Sequence, residues 1–177
     1  MGKHRILLDT PEKKAEFRRT YNIPADVQFR LNTRNDMGEQ GQTENKIHIP
    51  LIFIVEGGLK LPLHPFFREV CNRCQLNPMQ LCPNFVRVVM GTIALNGLLG
   101  LHLDWWDLHY LYSVVPTEHK NYYFKARSPN QKLVTDLPNS SRGEADDYLV
   151  VTGNWQPRDA EGRIIGFACP TTAGGLR

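Results

Sequence analysis

The chain has 177 residues, of which 41% are hydrophobic and 22% charged, and its formal net charge is +3. This length and composition are typical of one well-buried globular domain, and so small a positive surplus does not by itself indicate a nucleic-acid partner. The most apolar run, residues 86–103, contains an arginine, an asparagine and three glycines, which favours a buried helix and turn over a membrane span. No apolar signal segment is visible and the cysteines are few and unevenly spaced, so we expect an intracellular protein with no membrane partner.

The first part of the chain predicts a tail, a helix and a strand. Residues 1–9 are expected to form a short N-terminal tail. Thr10 and Pro11 supply a capping hydroxyl and a first-turn proline, so a helix is predicted from there to about Thr20. Residues 26–31 alternate apolar and polar side chains, which is typical of a short strand.

Two segments of opposite character follow. Residues 33–46 are polar and show no period, so we expect a loop. Residues 47–55 are apolar and β-branched, but Pro50 cannot donate to a central sheet ladder. An edge strand, or an extended segment packed on helices, is therefore expected there.

A block of helices is predicted next, because proline and capping signals recur at short intervals. The predicted elements are a helix over 65–75 entered at His64, a turn of helix begun by Asn77-Pro78, a helix from Pro83 to about Asn96, and a helix capped by Asp104.

The pattern then changes to strands. Residues 122–127, 132–135 and 148–152 are rich in aromatic and β-branched side chains, and their short links suggest an antiparallel meander. The predicted fold class is therefore α+β, with a helical block of about four to five helices packed against a small antiparallel β-meander. One domain is expected over residues 10–156, and residues 157–177 are expected to be a loosely ordered or truncated C-terminal tail.

Six stretches of the chain follow one another in an order that is typical of one protein family. They are Phe17-Arg-Arg-Thr-Tyr-Asn-Ile-Pro-Ala-Asp-Val27, Leu59 to Val70, Leu76 to Asn84, Leu108 to Val114, Tyr122 to Arg127 and Pro138 to Gly143. Together they resemble the gypsy-type transposon domain family of plant, retrotransposon-related proteins over about residues 11–155. The resemblance implies a domain of transposable-element origin, no established activity, no catalytic residues and no cofactor. Relatives are often followed by long coiled coils, which this chain lacks, and this suggests a fragment or a truncated copy.

A zinc site is the first chemistry that the sequence invites. Cys71 and Cys74 have the spacing of half a zinc site, with His64 before them and Cys82 after. The pair falls on the apolar stripe of a predicted helix, where cysteines pack as small hydrophobic residues, and a second Cys-x-x-Cys is missing. We therefore predict no metal, and Cys71 and Cys74 remain the weak candidates.

Acidic residues suggest a second possibility, the Mg²⁺ site of a nuclease or transposase. Asp104, Asp107 and Glu144 could supply carboxylates, but such a site needs them to converge. Asp104 is already explained as a helix cap and Asp107 as a partner of the helix dipole. The sequence thus predicts a protein that is not an enzyme, and a metal-dependent nuclease is the least favoured alternative.

A basic and aromatic surface is the best candidate for ligand binding. Lys125, Arg127 and Lys132 could neutralise phosphates while Tyr123 stacks on a base. In residues 122–127 aromatic side chains are followed by alternating basic ones, and any half-buried strand with one face in the core and one in solvent shows the same pattern.

Two functions therefore remain open beside the nuclease. The first is a non-enzymatic structural or protein-interaction module, for example one with gag-like self-association, in which case Trp105, Trp106 or Phe66 should include exposed members. The alternative is a module that binds DNA or RNA, inside the nucleus or the cytoplasm.

Overall fold

Helices and short strands follow one another along the chain, of which the computed structural model describes residues 3–33, 36, 45–139 and 147–172. The described α-helices are α1 (Pro11–Thr20), α2 (Leu51–Val55), α3 (Pro65–Cys74), α4 (Pro83–Leu99) and α5 (Trp105–Leu111). The described strands are β1 (Val27–Leu31), β2 (Lys46–Pro50), β3 (Tyr112–Pro116), β4 (Tyr122–Ala126) and β5 (Tyr148–Gly153). Short 3-10 helices lie at Arg5–Leu8 and Pro78–Gln80. These elements confirm the α+β class.

The helices begin where the local sequence predicts. Thr10 Oγ1 accepts from the backbone N–H of Lys13 at 3.3 Å, and His64 Nδ1 accepts from that of Phe66 at 3.1 Å. The four longer helices each start at a proline or directly after the capping Asp104. These side chains satisfy N–H groups that have no partner within the first helical turn.

The strands form two separate antiparallel sheets. In the larger sheet the order is β1-β5-β2, so the last strand of the chain lies between the first two. Val27 pairs with Gly153 and Ile47 with Val151. Gly153 has a φ of +80°, and a Cβ there would lie 2.2 Å from the carbonyl oxygen of Asp26, so this position requires glycine. The smaller sheet pairs β3 with β4.

The predicted meander is replaced by this arrangement. Residues 132–135 form no strand, because Leu133 donates its backbone N–H to Tyr112 Oη at 2.9 Å instead of to a neighbouring strand. Val134 packs against α4 at Gly91, where an added Cβ would lie 2.5 Å from Val134 Cγ2. Strand β4 takes β3 as its partner, and β3 begins directly after the last residue of α5.

The apolar run over 47–55 divides at Pro50. Its first part is β2, which lies at the edge of the larger sheet as expected, whereas its second part is α2. Pro50 has a φ of −54° and a ψ of 129°, so it ends the strand and precedes the first helical residue without losing a needed N–H donor.

One core joins the sheets to the helical block. Phe53, Phe67, Phe85 and Trp155 are fully buried, and each lies in or beside a different element. Trp155 also holds the chain in place, because its carbonyl oxygen accepts from the N–H of Leu63 at 2.8 Å. The core thus extends from the larger sheet across α2 and α3 to α4.

The chain beyond the last strand returns to α3. Arg68, which is 1% exposed, donates Nη1 to the carbonyl oxygens of Ile165 and Phe167, each at 2.8 Å. Asn72 Nδ2 donates to the carbonyl oxygen of Ala168 at 2.9 Å. We call residues 165–169 the C-terminal strap. The expectation of a loose tail from residue 157 misses these contacts, which join residues almost a hundred positions apart.

Candidate functional site

The residues predicted to bind nucleic acid lie at three different places. Phe124 points into the core and stacks on Phe85, with 4.2 Å between ring centroids. Tyr123 and Lys125 therefore share the outer face of the β3–β4 sheet, where Tyr123 is half-buried and Lys125 exposed. Lys132 is exposed but lies beyond the strand.

Arg127 turns toward α5 rather than along the sheet. Its Nε donates to the carbonyl oxygen of His109 at 3.1 Å, and its backbone N–H donates to that of Leu111 at 2.9 Å. The side chain is exposed, so the remaining guanidinium donors are open to solvent or a ligand. The structure thus brings Tyr123 and Lys125 together and separates Arg127 from them.

The cysteine pair lies in the core. Cys71 and Cys74 are 0% and 2% exposed, and burial raises the pKa of Cys71 and raises that of Cys74 to about 12. Burial thus favours the neutral thiol, and both side chains pack as small hydrophobic residues of the core. His64 Nδ1 is engaged as the cap of α3. Within the described residues, no three His, Cys, Asp or Glu side chains are placed to hold a metal ion.

The acidic candidates form a helix cap. Asp104 Oδ1 accepts from the backbone N–H groups of Trp106 at 2.7 Å and Asp107 at 3.1 Å. Asp107 Oδ2 in turn accepts from the backbone N–H of Asp104 at 2.9 Å. This reciprocal pair is a capping box. Glu144 lies outside the described residues.

An exposed apolar segment covers the last residues of α4 and the start of its connection to α5. Leu98, Leu99 and Leu101 are 82%, 64% and 41% exposed, and we call these three residues the leucine turn. Asn96 holds its base, because its side-chain amide both donates to and accepts from the backbone of Leu103, each at 2.9 Å. The sequence predicted that this helix ends near Asn96, and the exposed leucines were not among the predicted functional residues. The glycines beside the leucines are the feature of the sequence that could have indicated an exposed turn.

A groove opens between α3, α5 and the smaller sheet, and its lining is more apolar than polar although two arginines take part in it. Its volume is about 290 Å³, and we call it the α3–α5 groove. It is lined by Arg73, Cys74, Trp105, His109, Ser113, Val114 and Arg127. Sequence reasoning named Arg127 as a phosphate contact but did not bring it together with Arg73, which precedes it by more than fifty residues.

Two aromatic rings lie beside Arg73, one of the two arginines that line this groove. The guanidinium carbon of Arg73 lies 5.7 Å from the ring centroid of Trp106 and 4.9 Å from that of Phe167. Trp106 is 64% exposed, whereas Trp105 is 8% exposed and Phe66 is half-buried against the core. Trp106 is thus the exposed member among the aromatic residues that the sequence nominated for an interface.

Comparison with known proteins gives one match. The family model described as "Putative gypsy type transposon" matches residues 49–114, which run from the end of β2 through α5 into β3. No curated protein and no solved structure matches the chain. Among the described helices, none is long and apolar enough to cross a membrane.

Proposed function

We propose, from the match of residues 49–114 to the gypsy-type transposon family model, that the protein is a non-enzymatic interaction module of plant retrotransposon origin. We place it inside the cell, because its four cysteines are free thiols. Its proposed partner is a second copy of the same chain. The observation that carries the proposal is the leucine turn, which lies inside the matched range.

The leucine turn has the properties of a contact surface. Burying a leucine side chain contributes about 1.5–3 kcal/mol, so three exposed leucines in four positions are costly unless they are covered. Gly100 ends α4 with a φ of +62°, and the Asn96–Leu103 bonds fix the geometry of the connection. The leucines are thus presented by a defined turn.

A second copy fits this surface because the surface carries no charge. Residues 97–101 are two glycines and three leucines, so two copies related by a two-fold axis can meet there without repulsion between like charges. Three leucines bury much less than the roughly 1,600 Å² of a standard interface. We therefore expect a weak association that depends on concentration.

Sedimentation equilibrium from micromolar to near-millimolar protein tests this function. The weight-average mass should rise with concentration for the parent chain, and a Leu98→Glu/Leu99→Glu variant should remain monomeric because it places two carboxylates at the contact. Ile6→Glu is the matched control, since Ile6 is 61% exposed and lies in the N-terminal 3-10 helix. A parent that stays monomeric at every concentration would refute self-association.

Nucleic-acid binding by the outer face of the β3–β4 sheet is the second candidate. Its support is the shared position of exposed Lys125 and half-buried Tyr123 on one side of β4. Binding of labelled oligonucleotides should weaken steeply with salt and fall in Lys125→Glu if this face contacts phosphates.

A further inference from the structure

We propose that the α3–α5 groove binds one nucleotide of a single-stranded nucleic acid, with the phosphate between Arg73 and Arg127 and the base on Trp106. This site is distinct from the outer face of the β3–β4 sheet and from the leucine turn. The inference goes beyond self-association and does not depend on it.

Two guanidinium groups give the groove its preference for anions. Arg73 belongs to the last turn of α3 and Arg127 directly follows β4, and both side chains line the groove. Planar guanidinium donors match the oxygens of a phosphate and bind them in pairs. Ser113 and His109 line the same space and add a hydroxyl and an imidazole.

Neither arginine is neutralised by a buried acid. Arg73 Nη2 meets Glu69 Oε1 at 3.4 Å, with both side chains partly exposed, and a pair of this kind is weak. Arg127 uses its Nε for the carbonyl oxygen of His109, and in the described part of the chain no carboxylate lies within ion-pair distance of it. Donors on both side chains are therefore available to a ligand.

The aromatic rim argues for a base beside the phosphate. Trp106 is 64% exposed although it follows Trp105, which is almost buried and stacks on His109 with 5.4 Å between ring centroids. An exposed ring next to cationic side chains is the usual platform for single-stranded nucleic acid, because every base offers a face for stacking. The volume of about 290 Å³ is near the lower limit of ligand pockets, roughly 300–1,000 Å³, and fits one nucleotide unit.

An acidic peptide is the alternative ligand, because it carries negative charge like a nucleotide, but its acidic side chains have no aromatic ring that could stack on Trp106. Carboxylates would satisfy the two arginines, yet they give no reason for the 64% exposure of Trp106 beside them. The nucleotide accounts for both features, so it is the ligand that we assign, and the peptide becomes an outcome of the test.

Fluorescence anisotropy of a labelled oligothymidylate with the intact chain, measured over a series of salt concentrations, tests the proposal. Arg73→Gln should weaken binding roughly tenfold and make the slope of log K against log salt shallower by about 0.7, since one phosphate contact is lost. Arg73→Lys should retain most of the salt slope. Trp106→Ala should weaken binding roughly tenfold and leave the slope unchanged, because stacking releases no counterions.

Arg19→Gln is the matched control, since it removes one exposed guanidinium on α1, outside the groove. If Arg19→Gln and Arg73→Gln weaken binding equally, or if the parent chain does not bind at low salt, the assignment is wrong. It is also wrong if polyglutamate displaces the oligonucleotide at equal concentration. Leu98→Glu should bind like the parent, so failure of this site and failure of self-association remain distinguishable.

Discussion

At the scale of single residues, Asp36 shows how a buried carboxylate ties stability to pH. Its side chain is 4% exposed, and its oxygens accept from Arg30 Nη1 at 2.7 Å and Nη2 at 2.8 Å. The backbone N–H and the hydroxyl of Thr33 donate to it at 2.6 and 2.9 Å. The Arg30 guanidinium, followed by the Thr33 donors, holds the pKa of Asp36 well below its ordinary range, although burial opposes the shift.

A lowered pKa in the folded chain means that the ionised form stabilises the fold. This contribution is fully present above the unfolded pKa of about 3.9 and is lost as the pH falls toward the folded value. We expect Asp36→Asn to lower the free energy of unfolding by about 2 kcal/mol at neutral pH, with the difference from the parent shrinking below about pH 4. Urea titrations at several pH values measure this.

Glu16→Gln is the control for that series, because its side chain lies on the exposed face of α1. It should change the unfolding free energy little at any pH. If the Asp36→Asn difference stayed constant into the acid range, the Arg30 contact would not be the origin of the stabilisation.

At the scale of elements, α5 depends on its capping box. Asp104→Ala removes the acceptor of two backbone N–H groups and should lower the free energy of unfolding by about 1 kcal/mol. Asp104→Asn should cost less, because asparagine also caps helices well. Thermal unfolding followed by circular dichroism compares the two, with exposed Glu118→Ala as a control. An equal loss for alanine and asparagine would mean that the charge, rather than the cap, supports the helix.

Helix starts were predictable because their causes are local. Thr10-Pro11, His64-Pro65 and Asp104 each place a cap within three residues of the N–H groups that they satisfy. Strand pairing was not predictable in the same way, because Val27 pairs with Gly153 and the whole helical block lies between these two residues in the sequence. Residues 132–135 have the composition of a strand, and tertiary contacts to Tyr112 and α4 decide otherwise.

The candidate sites likewise differ in whether local sequence or tertiary packing determines them. Strand alternation was enough to place Lys125 outward and Phe124 inward. The α3–α5 groove requires Arg73 and Arg127 to meet, and their meeting depends on how α3 and α5 pack. Exposure of the leucine turn likewise depends on where α4 ends relative to the core, which hydrophobicity alone does not reveal.

At the scale of the whole molecule, the C-terminal strap and Arg68 depend on each other. The buried guanidinium has carbonyl acceptors from Leu63, Ile165 and Phe167. Two of these three acceptors come from the strap. A buried charge that loses its hydrogen-bond acceptors is costly, so the strap stabilises the helical block through this one side chain.

A double-mutant cycle tests that dependence. Shortening the chain to residues 1–156 should lower the free energy of unfolding by about 3 kcal/mol, because hydrogen bonds to a charged group are lost. Arg68→Met should be destabilising in the full chain but cost less in the shortened one, since the charge there no longer has its partners. The coupling energy between the two changes should be about 1–2 kcal/mol, measured by urea unfolding.

Arg19→Met, on the exposed side of α1, should show no coupling to the shortening. Strictly additive effects of Arg68→Met and the shortening would mean that the strap is held by its apolar contacts and not by the buried guanidinium.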